Sequence, residues 1–306
     1  MKTSKSPLQV HQMTLAQLDA QFPHDEACKA YLMVNRWPDG VTCPRCGNAN
    51  VYDLSTRPFH WQCHACAPQG YRFSVLVGTI FENTNKPLRD WFKVLHMMVT
   101  SKKGVSALQV ARVMGFGSYK TAHMMCSKIR VAMGNTEFQQ LVGYVEVDET
   151  FVGGKAHNKH RGPGGKGDGG GRGGHGKEII IGAVKRKGNV IACVMESTRR
   201  EVLEGFVKMA VAHDVSLIST DEFGGYARLK KQFPHGVVNH SHGQYVHRSI
   251  HTNTIEGFWS LIKRGIMGTF HEVSAKYLPI YVSEFEFRYN NRKNPDIFGA
   301  ALRQTF

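Results

Sequence analysis

The chain has 306 residues, 42% of them hydrophobic, which is enough for two or three domains with a sizeable core and excludes a disordered protein. Lys and Arg number 39 against 24 Asp and Glu, a formal charge of +15 that marks a protein built to meet a polyanion. No run approaches the ~18 apolar residues of a membrane span. The segment Met1-Lys-Thr-Ser-Lys-Ser-Pro-Leu8 lacks the apolar stretch of a secretory signal, so an intracellular protein without a membrane role is expected.

In chain order, residues 10–37 read as helical, with Leu15, Leu18, Phe22, Ala27, Tyr31 and Leu32 at helical intervals, until Pro38-Asp-Gly stops the run. Residues 41–75 are short-ranged, cysteine-bearing and rich in turn formers, with β-leaning pieces at 51–54 and 71–75. Helices are expected over 88–102, 105–113 and 119–133, the last two joined by the turn Met114-Gly-Phe-Gly-Ser118. From Leu141 the pattern turns strand-like, is interrupted by a glycine-rich stretch over 153–176, and resumes as a hairpin of Ile179–Val184 and Val190–Met195. A helix over 199–213, a strand over 215–220 and helices over 226–233, 253–265 and 274–292 complete the order. A β-β-β-α-β-α-β-α series predicts a mixed sheet flanked by helices, an α/β fold.

Four of the seven cysteines form two pairs, Cys43-Pro-Arg-Cys46 and Cys63-His-Ala-Cys66. Two residues between thiolates let a tight turn aim both sulfurs at one tetrahedral ion, and two such knuckles complete a structural zinc shell, a zinc ribbon. A closed four-sulfur shell leaves no open position for catalysis, and Arg45, Arg57 and Arg72 are available to DNA beside it. Cys28, Cys126 and Cys193 read as small buried hydrophobes.

Residues 105–133 resemble a helix-turn-helix. Val105, Leu108 and Ala111 would face a core, while Lys120, His123, Lys128 and Arg130 would lie on a helix able to enter a major groove. The alternative is a plain helical hairpin with a solvated basic face. The glycine-rich stretch carries Lys155, Arg161, Lys166 and Arg172, which suit either a flexible arm on a phosphate backbone or a passive linker.

Three acids stand at the edges of apolar runs. In Tyr144-Val-Glu-Val-Asp148-Glu-Thr150, strand alternation puts Glu146, Asp148 and Thr150 on one face and Val145, Val147 and Glu149 on the other. Asp221 ends the run 215–220, where open sheets place their sites, and Glu149 and Glu222 should point away from the two Asp residues. On the helix over 253–265, Asn253, Glu256, Ser260 and Lys263 share a polar face opposite Ile255, Phe258, Trp259 and Ile262. Such a set suits two Mg²⁺ ions in phosphoryl transfer: the ion prefers oxygen ligands and keeps several waters, so few carboxylates suffice.

These segments resemble the DDE transposases of bacterial insertion sequences, in the ISXO-like group. The matching residues are Val147-Asp148-Glu-Thr-Phe-Val-Gly-Gly-Lys155, Thr220-Asp221, His251-Thr-Asn-Thr-Ile-Glu256 with Lys263-Arg264-Gly265, and Glu284-Phe-Glu-Phe-Arg-Tyr-Asn-Asn-Arg292. The resemblance covers about residues 20–300. It implies a zinc ribbon ahead of a ribonuclease-H-like mixed sheet with flanking helices, and the residues themselves add the helix-turn-helix-like segment between them. The expected organisation is an N-terminal helical segment (1–40), a ribbon (41–80), a helix-turn-helix-like segment (81–138) and a catalytic domain (139–306) with the glycine-rich insertion. It implies Asp148, Asp221 and Glu256 as catalytic Mg²⁺ (or Mn²⁺) ligands, with Asn253 as the alternative third residue, and Lys263 and Arg264 as DNA contacts. The implied partners are element-end inverted repeats and target DNA, met by a homodimer or larger assembly in the cytoplasm at the nucleoid. A non-catalytic DNA-binding protein and a nuclease of the same fold are the competing readings.

Overall fold

The computed structural model describes residues 14–66, 68–134, 138–153, 177–238 and 250–306. The chain divides into two compact units, one of residues 1–136 with 291–306 and one of residues 137–290.

In the first unit the helical run of the N-terminus is two helices, α1 (Leu15–Gln21) and α2 (Asp25–Arg36), because Pro23 cannot continue the backbone ladder. Thr14 and Gln17 cap α1 reciprocally, and His24 Nδ1 accepts from Ala27 N–H at the start of α2. A three-stranded antiparallel sheet follows, β1 (Tyr52–Asp53), β2 (His60–Cys63) and β3 (Tyr71–Ser74). Three helices come next: α3 (Leu88–Thr100), α4 (Ala107–Met114) and α5 (Tyr119–Met133). The Asp25 carboxylate accepts from Leu88 N–H and Arg89 N–H, so a side chain of α2 supplies the cap that Pro87 cannot. Ser106 caps α4, Gly115 ends it at φ 65°, and Ser118 caps α5.

Two expectations are corrected on this hairpin. Val105 and Ala111 are buried as expected, but Leu108 is exposed, and Ala107 and Val110 face the core instead. Lys120 and Lys128 are exposed and His123 half-buried, whereas Arg130 is fully buried with its guanidinium donating to Val105 O. Its place on α5 is structural, and it is removed from the surface that Lys120 and Lys128 occupy.

Residues 291–306 return to the first unit, where a further helix, Ile297–Arg303, packs Phe298 against Phe92 at 5.4 Å between ring centroids, and Ile80 N–H donates to Thr305 O.

The second unit is built on five strands: β4 (Tyr144–Val152), β5 (Glu178–Lys185), β6 (Val190–Met195), β7 (Leu217–Thr220) and β8 (His235–Val237), in the spatial order β6-β5-β4-β7-β8. β4, β5 and β6 are antiparallel, and β7 and β8 run parallel to β4. The connection from β6 to β7 is α6 (Arg200–Ala210), whose Leu203, Phe206 and Val207 cover the face that holds Val145 and Val147. The opposite face, with Val152, Ile180 and Val184, is covered by α7 (Asn253–Gly265) and α8 (Leu278–Asn290). The helix expected over 226–233 is replaced by two single 3-10 turns, Gly224–Tyr226 and Leu229–Lys231. Paired glycines before Tyr226 and Pro234 after Phe233 leave too little uninterrupted chain for a stable helix. β8 was not expected: three residues including Gly236 carry no periodic signal.

α8 also closes the outer edge of the sheet. Asn290 accepts from Val190 N–H and donates to Val190 O, and Glu286 accepts from Ala192 N–H. Two side chains of the Glu284–Arg292 motif thus occupy ladder positions that an edge strand otherwise leaves open to another chain.

Candidate active site and zinc centre

Four sulfurs converge in the first unit. Cys43 Sγ lies 3.8 Å from Cys66 Sγ and Cys46 Sγ lies 3.6 Å from Cys63 Sγ, with all four atoms within 4.8 Å of one another. A tetrahedral Zn²⁺ with Zn–S bonds near 2.3 Å requires sulfurs about 3.8 Å apart. The donor set and the spacing both fit one structural zinc. Burial opposes a thiolate at Cys43, but the backbone N–H groups of Arg45 and Cys46 and neighbouring thiols hold it down to about 7. Burial and the neighbouring thiols push Cys66 up to about 12. Beside the shell, Arg45 stacks on the Tyr71 ring at 4.0 Å.

The carboxylates lie in the second unit. On β4 the alternation holds: Asp148 faces α7, while Glu149 faces away and accepts from the Tyr226 hydroxyl at 2.6 Å. Tyr226 follows Asp221 by five residues, so this bond ties the turn after β7 to β4. β4 and β7 pair with Glu146 opposite Ser219, and Asp221 directly follows β7, near enough for its charge to act on Asp148. The Asp221 carboxylate accepts from Phe223 N–H, which fixes the first turn beyond the strand.

Trp259 on α7 completes the placement. Its indole N–H donates to Asp148 Oδ2 at 2.9 Å, and its ring lies over Gly182, the residue opposite Asp148 on β5. A Cβ at position 182 would stand 2.6 Å from the ring. Gly182→Ala is therefore expected to displace the indole and destabilise the protein by about 1–3 kcal/mol, read as a lowered Tm; an unchanged Tm would show that the contact is slack.

A concavity of about 350 Å³ joins the polar face of α7 to the middle of β4. Asp148 and Glu256 line it with Lys263 and Arg264, and Glu149 borders it although its carboxylate turns to Tyr226. Glu256 is exposed and accepts from the Thr252 hydroxyl at 2.8 Å. Asn253 is exposed at the first position of α7 and is not among the described residues that line the concavity; nor is Asp221. Burial above all, and then the charges of Glu149 and Asp221, push the Asp148 carboxyl up to about 7. Burial and the charge of Asp221 likewise raise Glu149, against the pull of the Tyr226 hydroxyl. Acids that raise one another in this way favour a cation among them, and an all-oxygen donor set suits Mg²⁺ or Mn²⁺. The three carboxylates are not drawn together as closely as the sulfurs, since the cysteines form the one group of three or more ligand atoms within 4.8 Å among the described residues.

Lys155, Arg161, Lys166 and Arg172 of the glycine-rich stretch lie outside the described residues. Sequence reasoning missed Glu146, which is wholly buried against α7, and the bond from Trp259 to Asp148. An acid in an alternating strand on the face of an apolar helix was the available signal for the first.

Both parts of the chain resemble known proteins. Residues 140–290 match the ISXO2-like transposase domain, and residues 23–69 match the transposase zinc-ribbon domain. The chain is 26% identical over 263 residues to a Halobacterium salinarum protein described as an uncharacterized protein in transposable element ISH50, covering 83% of this chain and 86% of that relative.

Proposed function

The chain belongs to the ISXO2-like transposase family, and from that premise we propose that it cuts DNA at the ends of an insertion sequence and joins the freed ends to target DNA. The observation that supports this most is the concavity lined together by Asp148 from a strand and by Glu256, Lys263 and Arg264 from a helix. Acidic and basic side chains lining one concavity suit a phosphodiester, whose charge the basic groups attract while the acids would hold divalent cations against the reacting phosphate.

Asp148, Asp221 and Glu256 are the residues that would hold the divalent ions, Asp148 centrally because it neighbours both others. Two such ions, when bound, activate the attacking oxygen and stabilise the leaving one. Glu256 is preferred to Asn253 as the third ligand, since it lines the concavity and a carboxylate offers the ion a charge that an amide does not. Lys263 and Arg264 would hold the DNA backbone. In the first step water attacks the phosphorus at the element end and the P–O3′ bond breaks, leaving a 3′-OH. In the second that oxygen attacks a target phosphodiester and displaces the target 3′-oxygen, the attacking hydroxyl losing its proton and the displaced oxygen taking one up as a new 3′-OH. The number of ester bonds is conserved in the joining step, so no energy source is required.

Recognition of the terminal inverted repeats falls to the zinc ribbon and to α5, whose Lys120 and Lys128 are exposed. Joining two ends calls for at least two copies of the chain. Among the described residues no helix is long and apolar enough to cross a membrane.

Labelled element-end DNA incubated with a target plasmid, the protein and Mg²⁺ is expected to give joined products. Cleavage without joining would leave a nuclease of the same fold, and binding without cleavage a DNA-binding protein.

A further inference from the structure

We propose that Glu146 is a positioning residue that sets Glu256 against Asp148 by clamping the N-terminus of α7 to β4, an inference that rests on the reading of Asp148, Asp221 and Glu256 as metal ligands. Glu146 and Asp148 lie two residues apart on the same face of β4, and Glu146 is wholly buried. Its Oε2 accepts from Thr254 N–H at 2.7 Å and Ile255 N–H at 3.1 Å. Its Oε1 accepts from the Thr254 hydroxyl and from Arg186 Nε, both at 2.8 Å, with His251 Nδ1 at 3.0 Å.

These are the bonds a capping residue would make. The first amides of a helix have no partner within it, and its N-terminus attracts negative charge. The residue in the local cap position, Thr252, makes no cap bond; its hydroxyl goes to Glu256 instead. The cap comes from a strand 108 residues away. A local Ser or Thr would cap the helix without burying a charge. What the buried carboxylate adds is a fixed distance between the strand that carries Asp148 and the helix turn that carries Glu256. Arg186 reinforces it from the β5–β6 turn by also donating to His251 O at 3.2 Å, which holds the chain leading into α7. Glu146 touches neither the concavity nor a reacting atom among the contacts described, so its effect is exerted through α7.

The test is Mn²⁺ binding by the full chain, followed by electron paramagnetic resonance, beside element-end cleavage at saturating DNA. Glu146→Gln keeps the shape but turns one acceptor into a donor aimed at Thr254 N–H or at Arg186. It is expected to weaken Mn²⁺ binding by about 10–100-fold, as loss of a group that orients metal ligands does. Cleavage should fall and recover in part at high Mn²⁺, while end-DNA affinity and zinc content stay at wild-type values. Thr254→Val, which removes only the hydroxyl bond to Oε1, should weaken Mn²⁺ binding in the same direction by less, and it serves if Glu146→Gln does not fold. Wild-type Mn²⁺ affinity in the folded variants overturns the inference alone. A wild-type protein that binds no Mn²⁺, or an Asp148→Asn protein that binds it unchanged, overturns the metal-site reading and the inference together.

Discussion

Asp148→Asn is expected to lower element-end cleavage and joining by about 10³-fold or more while leaving affinity for end DNA unchanged. The amide keeps the size of the side chain and an oxygen for the Trp259 indole, so the packing of α7 on β4 survives. What it removes is the negative charge at the centre of the acidic set, and the loss of a metal-holding charge is worth several kcal/mol of barrier, about tenfold in rate for each 1.4 kcal/mol. The same substitution should stabilise the metal-free protein, and the sign follows from the carboxyl's raised pKa. Burial, with Glu149 and Asp221, lifts it from 3.8 to about 7. Between those values the folded chain holds a proton that the unfolded chain releases. The wild type is therefore unaffected below pH 4, loses stability progressively as pH rises from about 4 to about 7, and carries the full penalty of about 4 kcal/mol above that. The Asn variant carries none. Denaturant unfolding without added divalent metal, at pH 5 and pH 8, should show the wild type weakening relative to the variant. Equal cleavage by the two proteins would remove Asp148 from the chemistry.

The placement of Asp148 was legible because β4 alternates cleanly and one residue of slip would turn every side chain over. α7 was legible to the residue, with an apolar stripe of Ile255, Phe258, Trp259 and Ile262 beside a polar stripe carrying Glu256 and Lys263. α5 was equally clear, since Ser118 and Gly134 bound its periodic run. What was hidden depends on partners distant in the chain. Arg130 reads as a basic surface residue, and only the carbonyl of Val105, 25 residues earlier, shows why it is buried. Glu146 reads as one more acid of the strand until Thr254 and Ile255 come to it. The helix over Ile297–Arg303 is too short for periodicity to announce, and its return to the first unit is decided by Phe22, Phe92 and Phe298 packing together. Local pattern reveals which face a side chain takes; it does not reveal what is waiting on that face.

Removal of zinc is the second large effect. The ribbon has strands of two, four and four residues and a small aromatic core in which Trp61 packs on Phe73 and Trp37. A module of about 40 residues cannot bury enough apolar surface to fold unaided. Cys63 and Cys43 are nearly or wholly buried beside two further sulfurs, so without an ion the site brings four reactive groups together with nothing to bind them. Structural zinc supplies about 10–16 kcal/mol in comparable small modules, which here exceeds anything the aromatic core offers. Metal analysis should find one zinc per chain. Cys63→Ser is expected to lose it, to become sensitive to protease across residues 41–80, and to bind end DNA weakly. The damage should spread to α2, because Arg36 donates to Val75 O and Trp37 packs on Trp61. The second unit has its own two apolar layers, and its described strands and helices should keep their wild-type protease pattern. A zinc-free protein that binds ends with unchanged affinity would deny the ribbon its role. The two substitutions therefore fail in opposite ways: Asp148→Asn keeps binding and loses chemistry, whereas Cys63→Ser keeps the carboxylate fold and loses the means of bringing DNA to it.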